Sequence, residues 1–165
     1  MTSTTPVEEF SRIFREEHRE VRDLLLALID ALADRDAVAS RQLLTEVAAA
    51  TGPHFRYEEE ALYPALVELF GEDYIEKLLS DHDLAIANAA RVDELVSTGT
   101  LSTHEVDEAV TAVRAILPHV SDCEGLSIMV EILPETVVET IFAARAGARA
   151  EGLNLLEWAG SSRSR

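Results

Sequence analysis

The chain has little of what most partners and compartments would ask of it. Cys123 is its only cysteine, so no internal disulfide forms and folding does not depend on an oxidising compartment. Basic residues are scarce: 14 Lys and Arg stand against 31 Asp and Glu, a formal net charge of −17, and no basic cluster interrupts it. Such a surface repels phosphate backbones and anionic lipid, which excludes nucleic acid as an expected partner. No apolar run approaches the roughly 20 residues that span a bilayer. The start, "MTSTTPVEEF", has neither the basic flank nor the apolar core of a signal peptide, so no membrane association and a cytoplasmic location are expected. Strand-like alternation is missing too, which leaves an all-α chain. With 165 residues and 47% hydrophobic content, it is long enough for one domain with a full core.

What is present is helical spacing. From Val7 to Ala33, apolar residues at Phe10, Ile13, Phe14, Val21, Leu24, Leu25, Leu28 and Leu32 form one stripe, the first helix. A second begins near Ala37, meets Gly52-Pro53, where a kink is expected, and resumes through His54 to Phe70 before Gly71 stops it. Asp73 to Val96 makes a third, followed by the loop Ser97–Thr100. The fourth starts after Ser102 or Thr103 and runs through Val106, Val110, Val113 and Ile116 to a proline, Pro118. A fifth helical segment is expected after Pro134, with its Ala- and Gly-rich part, "AARAGARAEG", on the surface. The expected architecture is an all-α, up-down four-helix bundle with an additional C-terminal helical segment. It occupies residues 1–150, and 151–165 form a partly disordered tail with Trp158 as its last anchor.

The two helix pairs repeat each other. Glu17-His18 opens the first and Asp81-His82 the second; 36 residues on from His18 stands Pro53-His54, and 37 on from His82 stands Pro118-His119. Four of the five histidines therefore occupy corresponding positions. His104, in a loop-to-helix junction without a counterpart, reads as solvated. In the first half Glu58 follows His54 by four residues; in the second, Cys123 follows His119 by four, with Glu124 next.

Residues i and i+4 share a helix face, so His54 and Glu58 can aim an imidazole and a carboxylate at one point. A histidine from each of four helices is costly in a dry core unless satisfied, and a metal ion satisfies several at once. Imidazoles and carboxylates without a thiolate cluster suit iron or manganese. A carboxylate at the middle of a bundle can bridge two ions, which favours a di-iron centre. Of the run Glu58-Glu59-Glu60, only Glu58 is expected to face the core.

This pattern, His18, His54-x3-Glu58, His82, and His119 with Cys123-Glu124, resembles the hemerythrin-like, or HHE cation-binding, proteins. The similarity covers about Phe10 to Leu133, and "HFRYEEEALYPAL", His54 to Leu66, is its most family-like segment. The resemblance implies iron as cofactor, two ions with an oxo or hydroxo bridge. His18, His54 and Glu58 would serve one iron and His82 and His119 the other, with Glu58 and a helix-four carboxylate bridging.

Two positions depart from that pattern. Ile86 stands where the oxygen-carrying members have a second helix-three histidine, which leaves a coordination position for water, substrate, or a side chain such as Tyr57 or Glu59. Cys123 stands where a carboxylate is expected. Either Glu124 bridges and Cys123 is an inert or adjacent neighbour, the preferred alternative, or Cys123 ligates and gives one iron a soft thiolate, or it serves as a redox thiol. The resemblance implies binding of, or reaction with, O2, peroxide or NO, with peroxidase-, catalase- or oxidase-like chemistry and a small reductant as partner. The alternatives are a non-enzymatic gas or iron sensor and a bundle whose site has decayed to one metal or none.

Overall fold

The structure is a computed structural model that describes residues 4–165. Helix α1 (Pro6–Ala33) starts at a capping box: the Thr5 hydroxyl accepts the Glu8 backbone N–H, Glu8 accepts that of Thr5, and Pro6 fills the first turn. Its buried stripe runs Phe10, Phe14, His18, Val21, Leu25, Leu28 and Leu32, in steps of three and four. Arg35, in the left-handed region, turns the chain, and Asp36 caps α2 (Ala37–Tyr57).

Helix α2 continues through Pro53 without interruption, so the departure from α geometry does not fall where the sequence predicts a kink. It falls five residues later, in a π-helical turn over Glu58–Leu62, which leads into α3 (Tyr63–Phe70). Pro64 accounts for it physically, because its ring would clash with the carbonyl four residues back in an unbroken α-helix, and a widened turn relieves that contact. Gly71, at φ 83°, ends α3, and α4 (Glu72–Ser97) follows at once.

A second capping box, Ser102 with Glu105, opens α5 (Thr103–Arg114). The fourth expected helix is broken at Ala115-Ile116 ahead of Pro118, and α6 (Leu117–Glu124) carries His119. Short α7 (Ser127–Val130) precedes α8 (Glu135–Glu151), which begins right after Pro134, its cap. The "AARAGARAEG" segment is helical through Glu151 and packs on α2.

Within the segment expected as a partly disordered tail, α9 (Leu155–Ser161), capped by Asn154 and Glu157, forms and buries Leu155 and the expected anchor Trp158. Its physical reason is long-range, since the lead-in to α9 lies against the α2 backbone at Gly52, where an added Cβ would stand 2.4 Å from the Leu153 carbonyl oxygen. The described residues are all-helical, without a strand. None of their helices is long and apolar enough to cross a membrane.

The core divides into two apolar clusters. One holds Val21, Leu25, Phe55, Ala85 and Val120; the other holds Phe14, Tyr57, Leu78 and Cys123. Along α1, His18 lies between Phe14 and Val21, and along α4, His82 lies between Leu78 and Ala85. A polar layer therefore crosses the core where the two clusters meet.

Candidate metal centre

Glu58 is the centre of that layer and is wholly buried. The π turn begins at this residue and aligns it with Tyr63, five positions on, while the preceding α-helical turn aligns it with His54. Glu58 Oε1 lies 3.1 Å from His54 Nε2 and 3.7 Å from His18 Nε2; Oε2 lies 3.2 Å from His82 Nε2. The donor atoms of His18, His54 and Glu58 fall within 4.8 Å of one another, and so do those of Glu58, His82 and His119. All five residues are buried.

The other ring nitrogens face outward onto acceptors. His18 Nδ1 donates to the Phe14 carbonyl at 2.7 Å, His54 Nδ1 to Glu17 at 2.9 Å, and His82 Nδ1 to Glu59 at 2.8 Å. A carbonyl only accepts, so the proton of His18 sits on Nδ1 and its Nε2 lone pair faces Glu58. The same arrangement at His54 and His82 gives each imidazole a carboxylate that orients the ring and strengthens its inner nitrogen as a donor. Asp81 Oδ2 stands 3.5 Å from His119 Nδ1, a looser version of the contact.

The internal repeat thus extends to the outer acids. Glu17 precedes His18 and serves His54; Asp81 precedes His82 and stands beside His119. That acid–histidine doublet in both halves was the available sequence signal for them. Glu59 had none: the sequence predicts it solvated, and the π turn brings it onto His82. Glu60 is exposed, as the pattern predicts.

The charges in the metal-free site follow from this geometry. Burial pushes the His54 imidazole down, but Glu58 and then Glu17 more than reverse it, to about 10. Glu17 is raised by burial and then lowered further by His54, Tyr57 and Arg145, to about 2. Burial opposes ionisation of Glu58, yet His54 and His82 hold it well below the ordinary carboxylate range. His18 and His119 are driven down to about 4, first by burial and then by the neighbouring imidazoles His54 and His82. Two neutral imidazoles therefore face a carboxylate whose positive partner is His54.

The remaining predicted residues separate. Cys123 is fully buried, and its thiol donates to Glu58 Oε1 at 2.9 Å; burial and the adjacent carboxylate push it well above the usual thiol range. Glu124, the preferred bridging residue of the sequence reading, is half-buried near the end of α6, in neither donor group and without a side-chain hydrogen bond among the described residues. Successive residues of a helix point about 100° apart, so α6 can turn only one of the two inward.

Tyr63 places its hydroxyl 3.1 Å from His82 Nε2, 3.4 Å from Glu58 Oε2 and 3.4 Å from Cys123 Sγ. Tyr57 and Glu59, named as fillers of the position vacated at Ile86, instead bond outer groups: Tyr57 donates to Glu17 at 2.7 Å, and Glu59 accepts from His82. Ile86 is half-buried against the first apolar cluster. His104 is exposed, as expected.

Phe55 stacks on His82 with ring centres 3.7 Å apart. Beside it a cavity of about 10 Å³ is lined by His18, His54, His119, Val21, Phe55 and Val120, about the room of one water-sized probe. An open cleft of about 470 Å³ reaches from solvent to Glu17, Tyr57 and the outer edge of His54.

The donor chemistry fits a metal cation. Four inward nitrogens around one carboxylate, three of the rings set by an outer hydrogen bond, would be an expensive packing for a site with no ligand of its own. No curated protein and no solved structure matches the chain. A family model does, that of the hemerythrin HHE cation binding domain, over residues 9–125, a span that takes in every residue of both donor groups. The chain belongs to that family of cation-binding domains.

Proposed function

We propose that this protein is a non-haem di-iron protein of hemerythrin type, built on an up-down four-helix bundle, that binds or reacts with O2, peroxide or NO. The observation that carries the reading is the convergence of four imidazoles from four helices on the single buried carboxylate of Glu58. Each donor group is two histidines and one carboxylate, the set that suits non-haem iron and leaves coordination positions open. His18, His54 and Glu58 would hold one ion, Glu58, His82 and His119 the other, with Glu58 shared. Iron so held supplies Lewis-acid and redox chemistry to a small ligand at an open position.

The chain's own part is to shape that position. Phe55, Val21 and Val120 wall the small cavity beside three of the imidazoles and exclude bulk water from it. Cys123 and Tyr63 stand on the Glu58–His82 side, each with a proton held on a buried heteroatom. Glu17 and Glu59 hold the N–H protons of His54 and His82. This favours a reactive centre over a purely structural one, because a closed structural site would have no need of open positions.

Metal analysis of the purified protein tests the reading: about two iron ions per chain are expected, lost in Glu58→Ala. A fully folded protein that takes up no iron overturns it. Peroxide breakdown, or O2 consumption with a reductant, abolished by the same substitution, separates an enzyme from a sensor that binds its ligand without turnover.

A further inference from the structure

Past residue 125 the chain leaves the matched family segment, and the forty residues that remain carry four arginines and no lysine. All four are paired. Arg145, on α8, reaches Glu17 Oε1 with Nη2 at 2.6 Å and Nε at 2.8 Å, and Arg149 stands 3.7 Å from the same oxygen. Arg163, just past α9, holds Glu59 through Nη2 at 2.8 Å and Nε at 3.0 Å, and reaches Asp83 at 2.7 Å. Arg165 pairs with Glu76 and Asp83.

Glu17 and Glu59 are the carboxylates that accept the outer N–H of His54 and His82, one imidazole in each donor group. Each group is therefore continued outward by the same chain of parts, imidazole, carboxylate, arginine, and both chains end in the C-terminal extension.

This differs from chance pairing on an acidic surface. Arg163 is only 8% exposed, and its guanidinium lies 5.5 Å from the ring centre of Trp158, itself buried. The segment that carries it is docked on α2 by the backbone approach at Gly52. A guanidinium withdrawn from water to that degree needs a fixed partner, and Glu59 and Asp83 supply it.

We propose that the C-terminal extension, through Arg145 and Arg163, positions Glu17 and Glu59 and raises the reduction potential of the metal centre. The proposal rests on the reading of the two donor groups as iron sites. A carboxylate that accepts from a ligating imidazole raises its donor strength and so favours the more highly charged metal. An arginine bound to that carboxylate draws charge out of it, weakens the pull on the imidazole, and adds a positive charge nearby. Both effects favour the reduced, less charged state. Arg145 and Arg163 are positioning residues: neither is in a donor group.

The test uses the full chain, loaded with iron, as wild type and as Arg145→Gln, Arg163→Gln, Arg163→Lys and Arg165→Gln. Iron content, the midpoint potential from a mediated redox titration, and the rate of iron release to a chelator are measured for each. Both glutamine variants are expected to keep their iron and to show a lower potential than wild type, with release no faster, because the strengthened imidazole holds the metal more tightly. Arg163→Lys should recover part of the potential, and Arg165→Gln, whose partners contact no histidine, should match wild type. Loss of iron from Arg145→Gln or Arg163→Gln is the opposite of what a strengthened imidazole does, and it overturns the proposal. Potentials equal to or above wild type overturn the proposal, whereas a wild-type chain that takes up no iron overturns the metal reading beneath it.

Discussion

The thiol of Cys123 donates to Glu58 Oε1 at 2.9 Å, from the helix position at which the other half of the repeat carries Glu58 itself. The second half thus places a neutral donor against the shared carboxylate where a second carboxylate would repel it. Cys123→Ala removes that donor and leaves space beside a buried charge, at a cost of about 1–3 kcal/mol to the metal-free protein. Cys123→Ser keeps a donor and should lose less. Urea unfolding after chelator treatment measures both. A serine variant as unstable as the alanine variant would mean that sulfur packing, and not the hydrogen bond, is the larger contribution.

Glu58 is the one residue common to both donor groups, so its substitutions act on both at once. Glu58→Ala leaves His54 charged and buried with Glu17 as its remaining carboxylate partner, and removal of one member of a buried ion pair costs about 3–5 kcal/mol. Glu58→Gln keeps the volume and one acceptor oxygen. Its metal-free form should fold more stably than Glu58→Ala, yet bind little iron, because a neutral amide is a poor bridging donor. Metal content together with thermal unfolding of the two variants separates the structural role of Glu58 from its ligand role.

Acid should weaken the metal-free protein through His18 and His119. Their folded pKa values are lowered from 6.5 to about 4, so their contribution to stability is fully present above pH 6.5 and is lost as pH falls toward 4. His54 works in the opposite sense: raised to about 10, its contribution is intact below pH 6.5 and is lost as pH rises through 10. Between pH 6.5 and 4.5 the two neutral histidines therefore set the slope, and below 4.5 Glu17 and Glu58, both lowered from that value, steepen it. The urea midpoint of chelator-treated protein should fall across that window, and His18→Gln should flatten the fall. A midpoint flat from pH 6.5 to 4 would contradict the assignment.

The site was legible in the sequence to the extent that it repeats. Corresponding positions of Pro53-His54 and Pro118-His119 brought out the four imidazoles and Glu58, because helix periodicity projects i and i+4 onto one face. The choice between Cys123 and Glu124 was not legible, since it depends on the rotation of α6, which the break before Pro118 resets. Nor was Glu59, whose inward turn comes from the π geometry at Glu58–Leu62. Arg145 and Arg163 were hidden for a different reason. Their partners lie more than a hundred residues upstream, and the Ala- and Gly-rich segment that contains Arg145 and precedes Arg163 has no strong apolar stripe, so only tertiary docking brings them to the site.

That docking makes Gly52 a test of the extension as a whole. Within a helix, alanine is ordinarily favoured over glycine by about 1 kcal/mol. At Gly52 the added Cβ would meet backbone atoms, the Leu153 oxygen at 2.4 Å and the Leu155 nitrogen at 2.7 Å, and no side-chain rotation can clear them. Overpacking of this kind costs about 1–3 kcal/mol, enough to outweigh the propensity gain. Gly52→Ala should therefore lower the melting temperature and, more specifically, raise amide hydrogen exchange over Leu155–Ser161 while the α1 and α4 amides keep their protection. If exchange in α9 is unchanged and the protein is stabilised, the close approach of α9 to α2 is wrong. If α9 undocks, Arg163 leaves Glu59 with it, and the iron of this single variant should shift in potential in the same direction as in Arg163→Gln.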